Sequence, residues 1–210
     1  MPLKARLLEQ LAETRLATME TLERLSAALE FRDVDTGGHI RRMAVFAGAI
    51  ARAAKIPNAD LIELAAPMHD VGKFRVPDGL LLKPGPLAPE EFAVIKLHPK
   101  AGYDILYGSR AELVQVAADI AYTHHERVDG TGYPQQLHAE QIPICGRVCA
   151  LADVWDALTH ERVYKPAISG PKALAMMRKD RGSHFDAQLF DVFEKLAYGG
   201  ELEDPPLETP

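Results

Sequence analysis

The apolar positions of this chain recur with helical spacing almost from end to end. Leu8, Leu11, Leu22, Leu25 and Leu29 share one stripe of a stretch without Gly or Pro, which predicts a long amphipathic helix over residues 7–29. Arg15 and Thr18 interrupt a strict heptad. The helix can pack on the domain behind it, or act as a signalling or dimerising helix. Asp33 to His39 breaks the pattern. Ile40, Met43, Ala44, Ala47, Ile50, Ala51 and Ala54 then mark a second helix with one face for the core. Helical runs follow over residues 61–66, where Asn58 can cap, then from Pro89 to near His98 and over residues 113–122, 144–158, 171–179 and 187–197. Residues 74–88, rich in Pro and Gly, predict a loop or lid. No segment shows convincing strand alternation, so the expected fold is all-α, a single helical bundle.

The polar residues that break these runs carry the chemistry. His69 and Asp70 follow Pro67 in a mostly apolar stretch, where Pro removes a backbone donor and kinks or ends the helix. Burying such a pair is costly, and a metal ion removes that cost. His124 and His125 end another run and enter a loop rich in Gly, Asp and Pro. Adjacent helical residues point about 100° apart, so these two rings reach different ions or opposite sides of one, which implies more than one metal. With His39, His98 and Asp153 interrupting further segments, ligands come from several helices, as in the di-iron and di-manganese centres of helical bundles. Histidines and carboxylates without thiolates suit Fe or Mn, then Zn, over Ca or Mg.

Other residues are open to more than one role. Asp35 can share a face with His39 as a ligand, or cap the helix with Thr36. Pro99 disfavours helical geometry at His98, so that residue alone reads as a hinge with an exposed ring and no metal. Asp156 reads as a supporting or surface residue; His138, His160 and His184 read as structural. Arg162 and Lys165 are most simply solvated charges at a helix C-terminus.

Composition narrows the class. The 210 residues, 47% apolar, suit one well-packed domain, and a net charge of -6 argues against a DNA-binding protein. Cys145 and Cys149 fit neither a disulfide framework nor a CxxC site and are expected as buried free thiols, which suits the cytoplasm. No run approaches the ~20 apolar residues of a membrane span. The expected division is a helix over 1–31, a catalytic domain over 32–198 and a disordered tail over 199–210.

In this setting His69-Asp70 resembles the dyad of the HD metal-dependent phosphohydrolases. Gly132-Tyr133-Pro134 after His124-His125 resembles the signature of their HD-GYP branch, whose members are associated with degrading the bacterial second messenger cyclic di-GMP. The likeness runs from about Arg32 to Phe193, with the motifs in order. It implies His69, Asp70, His98, His124, His125 and Asp153 as ligands of two divalent ions, with Asp70 bridging, and it matches Asp35 and His39 to an additional pair and a third ion. It places Lys73 beside the scissile phosphate, and Tyr133, Arg162 and Lys165 on the cyclic dinucleotide. The implied reaction is attack by a metal-bridging hydroxide to give pGpG, followed by slower cleavage to GMP. Asp35 stands where Glu is common, and Val163 where Pro often stands. Two other functions fit the same motifs: a weakly active receptor or interaction module, and a phosphohydrolase for another nucleotide. Implied partners are cyclic di-GMP, a sensor or receiver domain, a diguanylate cyclase, and a second copy through the N-terminal helix.

Overall fold

The computed structural model describes residues 3–30, 38–161 and 166–202. Ten α-helices form it: α1 Leu3–Glu30, α2 His39–Ala53, α3 Ala59–Ala65, α4 Asp78–Leu81, α5 Pro89–Ile95, α6 His98–Leu106, α7 Glu112–Thr123, α8 Ile144–Thr159, α9 Gly170–Met177 and α10 Ala187–Gly199. Among the described residues there is no strand, only the isolated bridges Asp129 to His138 and Arg181 to Phe185. The all-α expectation holds. Met43, Phe46 and Ile50 of α2, Ile120 of α7, Leu151 of α8 and Phe190 and Phe193 of α10 are fully buried, the core that helical periodicity demands. Cys145 and Cys149 are buried free thiols.

Pro67 shapes the segment that matters most. Without a backbone donor it cannot continue α3, and the chain tightens into a 3₁₀ turn over Ala66–Met68, with the His69 N–H donating to the Ala66 carbonyl at 3.1 Å. Asp70 then precedes a second 3₁₀ helix, Val71–Arg75. Gly72 lies against the start of α6: a Cβ there would sit 1.9 Å from the His98 carbonyl oxygen. Only glycine lets these two backbones meet.

Several expectations are corrected. His98 is neither an exposed hinge nor outside a helix; it opens α6, with Pro99 in the first turn, where its missing N–H costs nothing, and is only 2% exposed. Asn58 makes no side-chain cap and instead holds a left-handed conformation. The segment over residues 74–88 contains the short α4. Asp186 caps α10, accepting from the N–H groups of Gln188 and Leu189. Beyond α10, Leu202 still packs on the core, so the tail contributes there; residues 203–210 lie outside the described residues.

Among the described side chains of α1, the leucines of the stripe are not spent on the core. Leu8, Leu11 and Leu25 are exposed, as are Leu3, Leu7 and Leu16, while the side chains of Leu22 and Leu29 lie outside the described set. α1 instead touches the domain near its C-terminal end, where the buried Ser26 hydroxyl donates to the Met68 sulfur at 3.0 Å. Met68 immediately precedes His69. No helix among the described residues is long and apolar enough to cross a membrane.

Candidate metal centre

Side chains from α2, α6 and two turns converge on Asp70. His69 Nε2 lies 3.1 Å from its Oδ2, His98 Nε2 3.1 Å from its Oδ1 and His124 Nε2 3.7 Å from Oδ1. Asp70, His98, His124 and His125 form one group whose ligand atoms all lie within 4.8 Å of one another; His39, His69 and Asp70 form a second. Asp70 belongs to both. The adjacent His124 and His125 therefore face one ion position, their ring centres 4.1 Å apart, which is the arrangement of two rings on different sides of a single ion.

The hydrogen bonds set which nitrogen is free. His69 Nδ1 faces the Ala66 carbonyl at 3.0 Å, His98 Nδ1 the Ile95 carbonyl at 2.8 Å and His124 Nδ1 the Ile120 carbonyl at 3.1 Å. A carbonyl only accepts, so in the neutral ring the proton belongs on Nδ1 and Nε2 keeps a bare lone pair. These bare atoms are then crowded together: His98 and His124 Nε2 lie 3.4 Å apart, as do His39 and His69 Nε2. Asp70 Oδ1, buried among them, has no hydrogen-bond partner. Lone pairs facing one another around an orphaned carboxylate oxygen repel, and divalent cations relieve that repulsion. The residues present fit a metal centre.

Titration follows the same geometry. Burial pushes the His125 ring well down, with help from His124 and His98, and burial lowers His124 against the pull of Asp70. Both rings are thereby kept as neutral ligands. Burial also works against a charged His69, but Asp70 overrides it and raises that ring to about 8. Asp70 itself is penalised by burial, yet Lys73, His69 and His124 hold it well below the usual carboxylate range. Lys73 Nζ is 2.7 Å from Asp70 Oδ2. Asp153 lies 3.7 Å from His39 Nε2, on the His69 side of the centre.

Three supporting residues went unassigned from the sequence. Asp156, open between a supporting and a surface position, is fully buried; its Oδ2 accepts from His39 Nδ1 at 2.6 Å and its Oδ1 from Arg42 Nε at 2.5 Å. Its carboxyl, resisted by burial, is brought down to about 2 by His39 and Arg42. Arg42 carried no sequence signal beyond a charge on α2. Glu126, directly after His125, is buried and accepts from the N–H groups of Gln135 at 2.6 Å and Leu137 at 3.0 Å, closing the loop that carries Tyr133. A carboxylate beside a histidine pair was its only sequence signal. Gly132 packs against that turn so closely that a Cβ would lie 2.4 Å from the Arg127 nitrogen. The Tyr133 ring stands 4.7 Å from the His125 ring, and burial, followed by the Asp70 and Asp153 charges, raises its hydroxyl pKa. The Tyr133-Pro134 peptide is cis. Asp35, Arg162 and Lys165 lie outside the described residues.

Comparison with known proteins agrees with this picture. A family model described as HD domain matches residues 6–189. A cyclic di-GMP phosphodiesterase response regulator, RpfG of Xanthomonas campestris pv. campestris, is 44% identical over 90% of the chain and 51% of its own length. A 3'3'-cGAMP-specific phosphodiesterase of Vibrio cholerae is 39% identical over 87% of the chain and 35% of its own. The chain thus spans about half or less of these relatives. A crystal structure of a cyclic GMP-AMP specific phosphodiesterase from V. cholerae shares the fold, with a TM-score of 0.63 at 19% identity over 88% of this chain and 49% of that one.

Proposed function

The chain belongs to the HD domain family, and on that premise we propose that it is a metal-dependent phosphodiesterase that opens cyclic di-GMP to linear pGpG and, more slowly, cleaves that to GMP. The observation that carries this is the membership of Asp70 in both ligand groups. One carboxylate with an oxygen turned to each group suits two ions a few ångströms apart, the spacing used for in-line displacement at phosphorus. Fe or Mn would suit the histidine and carboxylate donors; His98, His124 and His125 would hold one ion, His39, His69 and Asp153 the other, and Asp70 would serve both. The resemblance matches Asp35, together with His39, to a third ion, while the two-ion set is complete without Asp35. Bound divalent ions supply Lewis acidity, lowering the pKa of water and neutralising phosphoryl charge.

The chain's own residues do the rest. Lys73, beside Asp70, offers its ammonium to an oxygen of the scissile phosphate. Tyr133 lines the approach from the His125 side and, with Arg162 and Lys165, holds the dinucleotide in line. Water gives up a proton to solvent as its oxygen bonds to phosphorus, the bond to the 3' oxygen breaks, and that oxygen takes a proton from solvent. Burial of His98, His124 and His69 keeps bulk water off the ligand nitrogens.

The exposed leucines of α1 support its role as the connection to a sensor or receiver domain, paired with the same helix of a second copy. The division into a helix over 1–31, a catalytic domain and a tail is part of this proposal. Buried free thiols suit work in the cytoplasm. Because three relatives are named for 3'3'-cGAMP, that dinucleotide is the comparison substrate.

Anaerobic purification with elemental analysis, then incubation with cyclic di-GMP and with 3'3'-cGAMP under mass detection, tests this. Two or more equivalents of Fe or Mn with many turnovers to pGpG are expected. Asp70→Ala should lose both metal and turnover. A metal-loaded protein that binds cyclic di-GMP unchanged is a receptor instead, and faster opening of 3'3'-cGAMP moves the substrate assignment.

A further inference from the structure

α5 and the residue that ends it bring two side chains to the edge of the centre that no sequence motif marked. The Phe92 ring meets the Tyr133 ring edge-on, with centres 6.4 Å apart, and Tyr133 in turn stands against His125. Lys96 Nζ sits 4.9 Å from the Phe92 ring centre and 5.2 Å from that of Tyr133. Helical spacing alone would lay the Lys96 stem beside Phe92, as on many surface helices. Tyr133, however, comes from the loop beyond α7. Rings from two separate elements hold one ammonium by their π faces.

That ammonium has an unusual status among its neighbours. Lys73, Lys83 and Lys100 each pair with a carboxylate, at 2.7 Å from Asp70, 2.5 Å from Glu91 and 2.5 Å from Asp104. Lys96 has no carboxylate partner among the described residues. Aromatic faces position a cation without cancelling its charge, so the charge remains directed at whatever enters beside Tyr133. Phe92 is 42% exposed, which leaves the mouth of this corner open.

A cyclic dinucleotide carries two diester phosphates, only one of which is cleaved at a time. Lys73 serves the position beside Asp70, and Lys96 stands one aromatic ring farther out. We propose that Lys96, steadied between Phe92 and Tyr133, grips the uncleaved phosphate and so determines specificity for cyclic dinucleotides over simpler diesters. This rests on the reading of the site as a cyclic dinucleotide phosphodiesterase.

The test uses the full chain loaded with Mn and two substrates, cyclic di-GMP and methyl p-nitrophenyl phosphate, which has a single phosphate. Lys96→Met keeps the apolar stem over the rings and removes the charge. KM for cyclic di-GMP should rise about tenfold or more, the loss falling on KM rather than kcat, since a charged hydrogen bond is removed from binding. The preference for cyclic di-GMP over the small ester, as a ratio of kcat/KM, should fall by the same factor. Lys96→Arg should restore most of it, with metal content at the wild-type level in both variants. An unchanged KM in Lys96→Met, with wild type active, overturns the role of Lys96 alone. Equal losses on both esters overturn it too, since they mark damage to the centre. Wild-type protein that turns over the small ester but no cyclic dinucleotide overturns the proposed function, and the Lys96 assignment falls with it.

Discussion

Asp156 Oδ2 lies 2.6 Å from His39 Nδ1, and the same carboxylate is held from its other side by Arg42 Nε at 2.5 Å. His160 Nδ1 approaches its Oδ1 at 3.1 Å. A buried carboxylate on Nδ1 fixes the His39 tautomer, leaves Nε2 bare toward His69, and makes that nitrogen a stronger donor to a metal.

Asp156→Asn should therefore weaken metal binding on the His39 side by about 10- to 100-fold, the usual cost of losing a partner behind a ligand. Metal titration followed by elemental analysis of the loaded protein reads this directly. Wild-type affinity in that variant would show that Arg42 and the packing alone orient His39.

Gly72→Ala should destabilise the protein by about 3 kcal/mol or prevent folding, because the new methyl would fall 1.9 Å from the His98 carbonyl oxygen and 2.4 Å from the Gly102 nitrogen. Both are backbone atoms and cannot rotate away. Calorimetry should show a Tm lower by several degrees, with metal content reduced because His98 is displaced. A variant with unchanged Tm would mean that α6 shifts freely from the turn beneath it.

Glu126→Ala removes the acceptor of the Gln135 and Leu137 N–H groups. The loop carrying Tyr133 should loosen, and those two amides should exchange with deuterium about tenfold faster or more, given the net worth of a charge-assisted hydrogen bond. Exchange rates at these two positions that match wild type would place the restraint on the loop elsewhere.

His184 ties stability to pH. Burial, with Arg127 adding to it, lowers its pKa from 6.5 to about 4, while its ring stacks on Phe185 at 4.2 Å. Between those values the unfolded chain binds a proton that the folded chain refuses, so stability is complete above pH 6.5 and falls as the pH drops toward 4. The loss from this group is at most about 3 kcal/mol. Denaturant titrations of His184→Gln should show a flatter profile over that window. A slope as steep as that of wild type would assign the acid sensitivity to other groups.

Local pattern alone determined much of this molecule. Most helices follow from apolar spacing along each segment, α4 and α6 being the exceptions, and the break before His69 follows from Pro67, because both effects act between residues within a turn or two of one another. His69, Asp70, His124 and His125 were legible for the same reason: they sit side by side where apolar runs stop. Packing decided the rest. Asp156 reaches His39 across 117 residues, and nothing in the order of residues shows that the carboxylate points inward at that ring rather than outward to water. His98 looked like a hinge because Pro99 follows it, yet the closeness of Gly72 seats α6 on the turn bearing the dyad and buries the imidazole. Tyr133 meets Phe92 and Lys96 only because Glu126 folds its loop back toward α5. Backbone preference is set by neighbours along the chain, whereas a ligand set is a coincidence of side chains from distant helices that exists only once the core has closed.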